Sequence, residues 1–101
     1  MTRRLELHEA AQTEVTEAAH WYEAERRGLG LEFVAALDHV FEDVLFLPEM
    51  WPQWRPGSHW RWAMLKRFPY IVLYRVADES VKVVAVAHTR RKPGYWVRRV
   101  H

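Results

Sequence analysis

The sequence predicts a single α+β domain with the order β-α-α-β-β-β, an antiparallel sheet with a helical hairpin packed on one face. Three observations predict it. Two long stretches in the first half carry apolar residues at helical spacing and are separated by a glycine turn. Three β-branched and aromatic runs follow in the second half, divided by turn residues. The chain has 101 residues, half of them hydrophobic, which suits one domain over 1–101 with a core of its own.

Arg3 to His8 opens the chain as a short strand, with Leu5 and Leu7 alternating against charged neighbours. Glu9 to about Glu25 is helical, because Ala11, Val15, Ala18 and Tyr22 fall on one stripe. Glu9 suits the positive end of the helix dipole, whereas His8 is a poor cap beside Ser or Asp. Gly28 is expected to cap this helix at its C-terminus. A second helix runs from about Leu29 to Leu47 on a main stripe of Leu29, Phe33, Leu37, Val40, Val44 and Leu47. Val34, Phe41 and Leu45 form a second apolar stripe beside it, and Pro48 stops the helix.

Residues 48–58 hold three prolines, a glycine and two tryptophans, and read as a loop too aromatic to be free. Strands are expected at 60–65, 70–76 and 81–88. Lys66 to Pro69 breaks the first pair, and Asp78-Glu79-Ser80 turns the second. With 77–80 as the loop, Val76 faces Val81. Tyr74, Val72, Val83 and Ala85 then share one sheet face, and Leu73, Ile71, Val84 and Val86 share the other. Both faces are apolar, so the second needs a cover. Tyr95-Trp96 would supply some of it and a partner chain the rest. Trp60 and Trp62 share a face, Tyr70 and Tyr74 read as core, and Trp21-Tyr22 is expected to pack the hairpin onto the loop tryptophans.

Composition narrows the function. There is no cysteine, hence no disulfide framework or thiolate site. Glu17-x-x-His20 has the spacing of half a di-metal site, but only one copy exists, so no metal or other cofactor is expected. No phosphate-loop or hydrolase motif occurs. No secretory signal or membrane span is visible, which leads to the expectation of a soluble cytoplasmic protein. The net charge of +2 conceals an asymmetry. Residues 1–54 hold 4 Lys/Arg against 11 Asp/Glu, a net of −7, and residues 55–101 hold 11 against 2, a net of +9. The second half therefore suits a polyanionic partner, unless the two halves neutralise each other across the fold. His88 arrives at a strand end together with Arg90, Arg91 and Lys92, as an anion or RNA site would require.

Several features in order resemble one family: Trp21-Tyr22-Glu23 at a helix end, Gly28-Leu29-Gly30-x-x-Phe33, Arg61, Phe68-Pro69-Tyr70, Tyr74, and His88-x-Arg90-Arg91-x-Pro93-x-x-Trp96. Their spacing over nearly the whole chain is similar to the RelE/ParE superfamily of toxins from bacterial type II toxin–antitoxin systems, often labelled plasmid stabilisation proteins. The resemblance implies the β-α-α-β-β-β fold and a toxin silenced by a cognate antitoxin that lies across helices and sheet. Val34, Phe41 and Leu45 are the expected antitoxin contacts. RelE-like members cut mRNA on the ribosome; ParE-like members poison DNA gyrase and need no hydrolytic site; some relatives are inactive.

A ribosome-dependent nuclease needs a base for the 2′-hydroxyl proton, cations for the phosphoryl charge and an acid for the leaving oxygen. His88 is the best acid–base candidate, since an imidazole titrates near neutrality. Arg61 and Arg90 would clamp the phosphate, and Arg91, Lys92 and Tyr95 would contact RNA. The alternative is a structural His88 beside a solvated basic tail. In the register above, Arg61 and His88 point to opposite faces, and a one-residue slip or bulge would reverse this. The chain has only three lysines, fewer than a lysine-based nuclease site suggests.

Overall fold

The computed structural model of the protein describes residues 3–100. The elements are β1 (Arg4–Leu7), α1 (Glu9–Glu25), α2 (Leu29–Phe46), β2 (Arg61–Met64), β3 (Tyr70–Val76), β4 (Ser80–His88) and a C-terminal 3-10 turn, Tyr95–Val100. This is the expected α+β order. The four strands form one sheet in the order β1-β4-β3-β2. β2, β3 and β4 are antiparallel, as tight turns between successive strands require. β1 instead lies parallel to β4, from Arg4 opposite Ser80 to Leu7 opposite Val83, so the sheet is mixed rather than wholly antiparallel. A parallel neighbour needs a crossover of about a dozen residues or more, and the helical hairpin supplies one.

His8 does cap α1: its Nδ1 accepts the Ala10 N–H at 3.0 Å. Gly28 belongs to the second helix rather than the first. It is the N-cap of α2 at φ 89°, a left-handed conformation that glycine adopts without strain, while Arg26 closes α1. The carboxylate of Glu23 accepts the N–H groups of Gly28 at 3.0 Å and Gly30 at 3.1 Å, supplying the cap that Gly28 lacks. Gly30 is needed for a different reason. A Cβ there would sit 2.6 Å from the Ala19 carbonyl oxygen, so its absence lets α1 and α2 close on each other.

The main core lies between the hairpin and the sheet. Ala11, Ala18, Phe33, Leu37, Val40 and Val44 meet Ala63, Val72, Tyr74, Val81, Val83 and Val86 there. Tyr22 packs on Phe33, Phe68 and Tyr70 rather than on the loop tryptophans, and Trp21 is 59% exposed. Val76 does face Val81, but the ladder slips between Leu73 and Tyr74, so that Tyr74 pairs with Val83 and Leu73 with Ala85. Val84 is the extra residue. The bulge reverses every position after it: Val86 joins the helix-side core, and Ala85 moves to the far face.

On that far face Leu73, Val84, Ala85 and Ala87 are covered by Trp96, only 2% exposed, with Trp54, Trp60 and Trp62 around it. The chain thus provides much of the cover that an outside partner was expected to give. Among the described residues no helix is long and apolar enough to cross a membrane.

Candidate functional site

β1 ends at Leu7, so the outer edge of β4 has no strand beside it past Val83, whose carbonyl takes the His8 N–H. Glu14 on α1 and Arg99 on the C-terminal turn complete that edge. Glu14 Oε1 accepts the Val86 N–H at 3.0 Å, and Arg99 Nη1 donates to the Val84 carbonyl at 3.1 Å. The two side chains also pair at two points, 2.9 and 3.0 Å, with 13% and 19% of their surfaces exposed. Glu14 holds the Arg99 guanidinium above its ordinary range. Tyr95 donates its hydroxyl to Glu14, and the Arg91 and Arg99 guanidinium groups stand 3.8 and 5.0 Å from its ring. Burial, and then that bond to Glu14, push the Tyr95 phenol far up.

His88 stands at the end of β4 opposite Tyr70, half-buried, with the two rings edge to face at 5.2 Å. Its Nδ1 accepts the Arg90 N–H at 3.0 Å, and its carbonyl accepts the Arg91 N–H, so the imidazole shapes the turn into the tail. Two clefts flank it. One, about 260 Å³, runs over the far face between Trp62, Met64, Trp54 and Tyr95. The other, about 250 Å³, lies on the helix side against Glu14, Glu17 and Trp21. Arg91 lines both, Lys92 only the first, and Arg90, Arg91 and Lys92 are exposed.

Arg61 does not join them. The bulge brings Arg61 and His88 to the same, helix-side face, through their partners Tyr74 and Tyr70. Those partners are four residues apart on β3, roughly 13 Å at the rise of a strand. Arg61 Nη1 is bonded to the Trp51 carbonyl, which ties the 48–58 loop to the sheet. Tyr74 does the same from the core, with its hydroxyl on the Pro48 carbonyl. His88, Arg91, Lys92 and Tyr95 thus line one cleft, with Arg90 on the turn beside it, and Arg61 stands apart from them. Val34, Phe41 and Leu45 are half-buried against the core, whereas Leu31, Phe46, Leu47 and Met50 are the exposed apolar residues of α2 and the turn after it. The sequence gives neither Glu14 nor Arg99 a role in a site. Glu14 lies near the apolar stripe of α1, but its partner is 85 residues away, and no local pattern joins them.

Residues 5–93 match the family described as ParE toxin of type II toxin–antitoxin system, parDE. The chain is similar to Toxin ParE2 of Mycobacterium tuberculosis, in strains CDC 1551 / Oshkosh and ATCC 25618 / H37Rv. Each is 29% identical over 96 residues, covering 92% of this chain and 88% of the relative. Among solved structures it is similar to a chain of the chromosomal ParDE TA system from P. aeruginosa. The TM-score is 0.63 at 14% identity, covering 86% of this chain and 96% of that one, a likeness of fold. With the family matched over most of its length on the hairpin-and-sheet frame described above, the chain belongs to the ParE toxins of type II toxin–antitoxin systems.

Proposed function

We propose that this toxin is silenced by a cognate antitoxin and acts by binding DNA gyrase, without cutting mRNA. The observation that carries the reading is the distance between the groups a nuclease would have to combine. Arg61 is held on the Trp51 carbonyl, about four strand residues from His88, so it is poorly placed to serve the same phosphate. Within the cluster, the Tyr95 hydroxyl is spent on Glu14 and the His88 Nδ1 on the Arg90 N–H. The sheet face beside them is floored by Leu73 and Ala87 and closed by Trp96, with Arg91 and Lys92 at its rim on the tail. Arg90, Arg91 and Lys92 then serve as an attractive surface rather than as a catalytic clamp. The antitoxin would cover the flank of α2, where Val34, Phe41 and Leu45 lie near the exposed Phe46, Leu47 and Met50.

The test is induction of the chain alone in bacteria, following mRNA integrity, plasmid supercoiling and the DNA-damage response. Intact mRNA with impaired supercoiling is expected, and His88→Ala should still arrest growth. Ribosome-dependent mRNA cuts that vanish with a folded His88→Ala protein would instead establish the nuclease. Co-expression with a small reading frame beside its gene that encodes the antitoxin should restore growth and yield a complex on purification.

A further inference from the structure

Another cavity lies at the other end of β4 from His88. It has a volume of about 480 Å³ and opens on the far face of the sheet. A single row of side chains crosses its floor. Glu6 on β1 is opposite Lys82 on β4, Lys82 is opposite Arg75 on β3, and the Arg75 guanidinium lies 5.8 Å from the Trp60 ring.

Arg75 and Lys82 are therefore two cations at directly opposed positions of an antiparallel pair, with Cα atoms about 5 Å apart. Like charges so placed repel and weaken the pairing. The rest of both strands is almost wholly apolar, so these two are not part of an ordinary wet face. Little compensates them. Among the described residues Arg75 makes no ion pair, and Lys82 reaches only Glu6, at 4.0 Å. Glu6 is shared with Arg4 at 3.4 Å. Among the described residues it is the only carboxylate in the lining, and it stands at the end of the row away from Trp60. His8 lines the cavity too, with Nδ1 spent on Ala10 and Nε2 left over. Arg99 reaches the wall but is committed to Glu14 and the Val84 carbonyl.

We propose that this groove holds the phosphate backbone of a nucleic acid, with a phosphate between Arg75 and Lys82 and a base against Trp60. An anion there converts a repulsive pair into two attractive ones, and the Arg fork gives it direction. A ring beside the phosphate position suits a strand whose bases are free to stack. The +9 balance of residues 55–101 supplies the long-range attraction. The site is separate from the His88 cluster and does not depend on the gyrase reading, since binding by the isolated chain tests it directly.

The experiment is fluorescence anisotropy of a labelled mixed-sequence single strand, and of its duplex, with the purified chain over a salt series. Arg75→Ala/Lys82→Ala should weaken single-strand binding about tenfold at low salt and flatten the salt dependence by about 0.7 in log–log slope per cation removed. Relief of the repulsion should leave its melting temperature unchanged or higher. Should that protein not fold, Lys82→Gln alone carries the test, with half the loss of slope. Arg91→Ala/Lys92→Ala is the comparison for the tail. Undiminished affinity and slope in the Arg75/Lys82 variant, whatever the tail variant does, would overturn the proposal. So would binding of inorganic phosphate or a nucleoside triphosphate, lost in the variant, with no binding of either oligonucleotide. Tighter binding of the duplex than of the single strand would refute the stacking role of Trp60.

Discussion

Glu14 and Arg99, 85 residues apart, form a two-point ion pair that takes over the edge of β4 where β1 stops. The pair is mostly shielded from water, and Glu14 also serves the Val86 N–H and the Tyr95 hydroxyl. Arg99→Ala strands a carboxylate in that setting. It should lower stability by about 2 kcal/mol, somewhat below the cost of breaking a fully buried pair. The denaturant midpoint measures this, and the paired variant Glu14→Gln/Arg99→Met should regain part of the loss. A loss below about 0.5 kcal/mol, typical of exposed pairs, would mean that the pair is solvated.

Gly30→Ala should cost about 1–3 kcal/mol, because the new methyl meets the Ala19 carbonyl and the helices must part. Gly28→Ala finds open space and pays only for its left-handed backbone, about 1–2 kcal/mol. The discriminating measurement is urea unfolding of both proteins with the crystal structure of each. A shift between α1 and α2 belongs to the first variant alone.

Burial pushes the Tyr74 phenol up to about 12 from its ordinary 10.0, against a smaller opposing effect of Arg61. The unfolded chain then releases this proton first as pH rises. The contribution of Tyr74 is fully present below pH 10 and is lost as pH climbs through about 12. Tyr22, Tyr70 and Tyr95 are shifted the same way, so Tyr74→Phe should flatten the alkaline fall in stability without abolishing it. Denaturant midpoints across that range, with tyrosinate absorbance followed in parallel, provide the check.

Glu32 receives Arg67 at 2.8 Å and Arg26 at 3.1 Å, and these two hydrogen bonds hold its carboxyl below the ordinary 4.5. Its contribution is therefore present above that value and fades as pH falls through the lowered one. Glu32→Gln should be less stable than the unmodified protein at neutral pH, with the gap closing in acid and shrinking in high salt. An acid-independent gap would assign the effect to packing.

What the sequence determined by itself is the set of elements and most of their ends. The stripes through Phe33 and Val44, the Asp78-Glu79-Ser80 turn and the β-branched runs are local patterns, and they read out local geometry. The pairing of Val76 with Val81 was legible because a tight turn sets the register beside it. The basic tail with His88 was legible for the same reason, as neighbours in the chain. Tertiary structure decided the rest. The bulge at Val84 turned Val86 to the helices and Ala85 to Trp96, because filling two apolar faces at once outweighed regular pairing. It moved Arg61 and His88 to one face and still left them far apart, since distance along a strand is indifferent to which face is shared. The opposition of Arg75 and Lys82 follows from the same Val76–Val81 register, whereas the parallel β1 and the Glu14–Arg99 edge join residues distant in sequence, and periodicity within one segment holds no record of a partner in another.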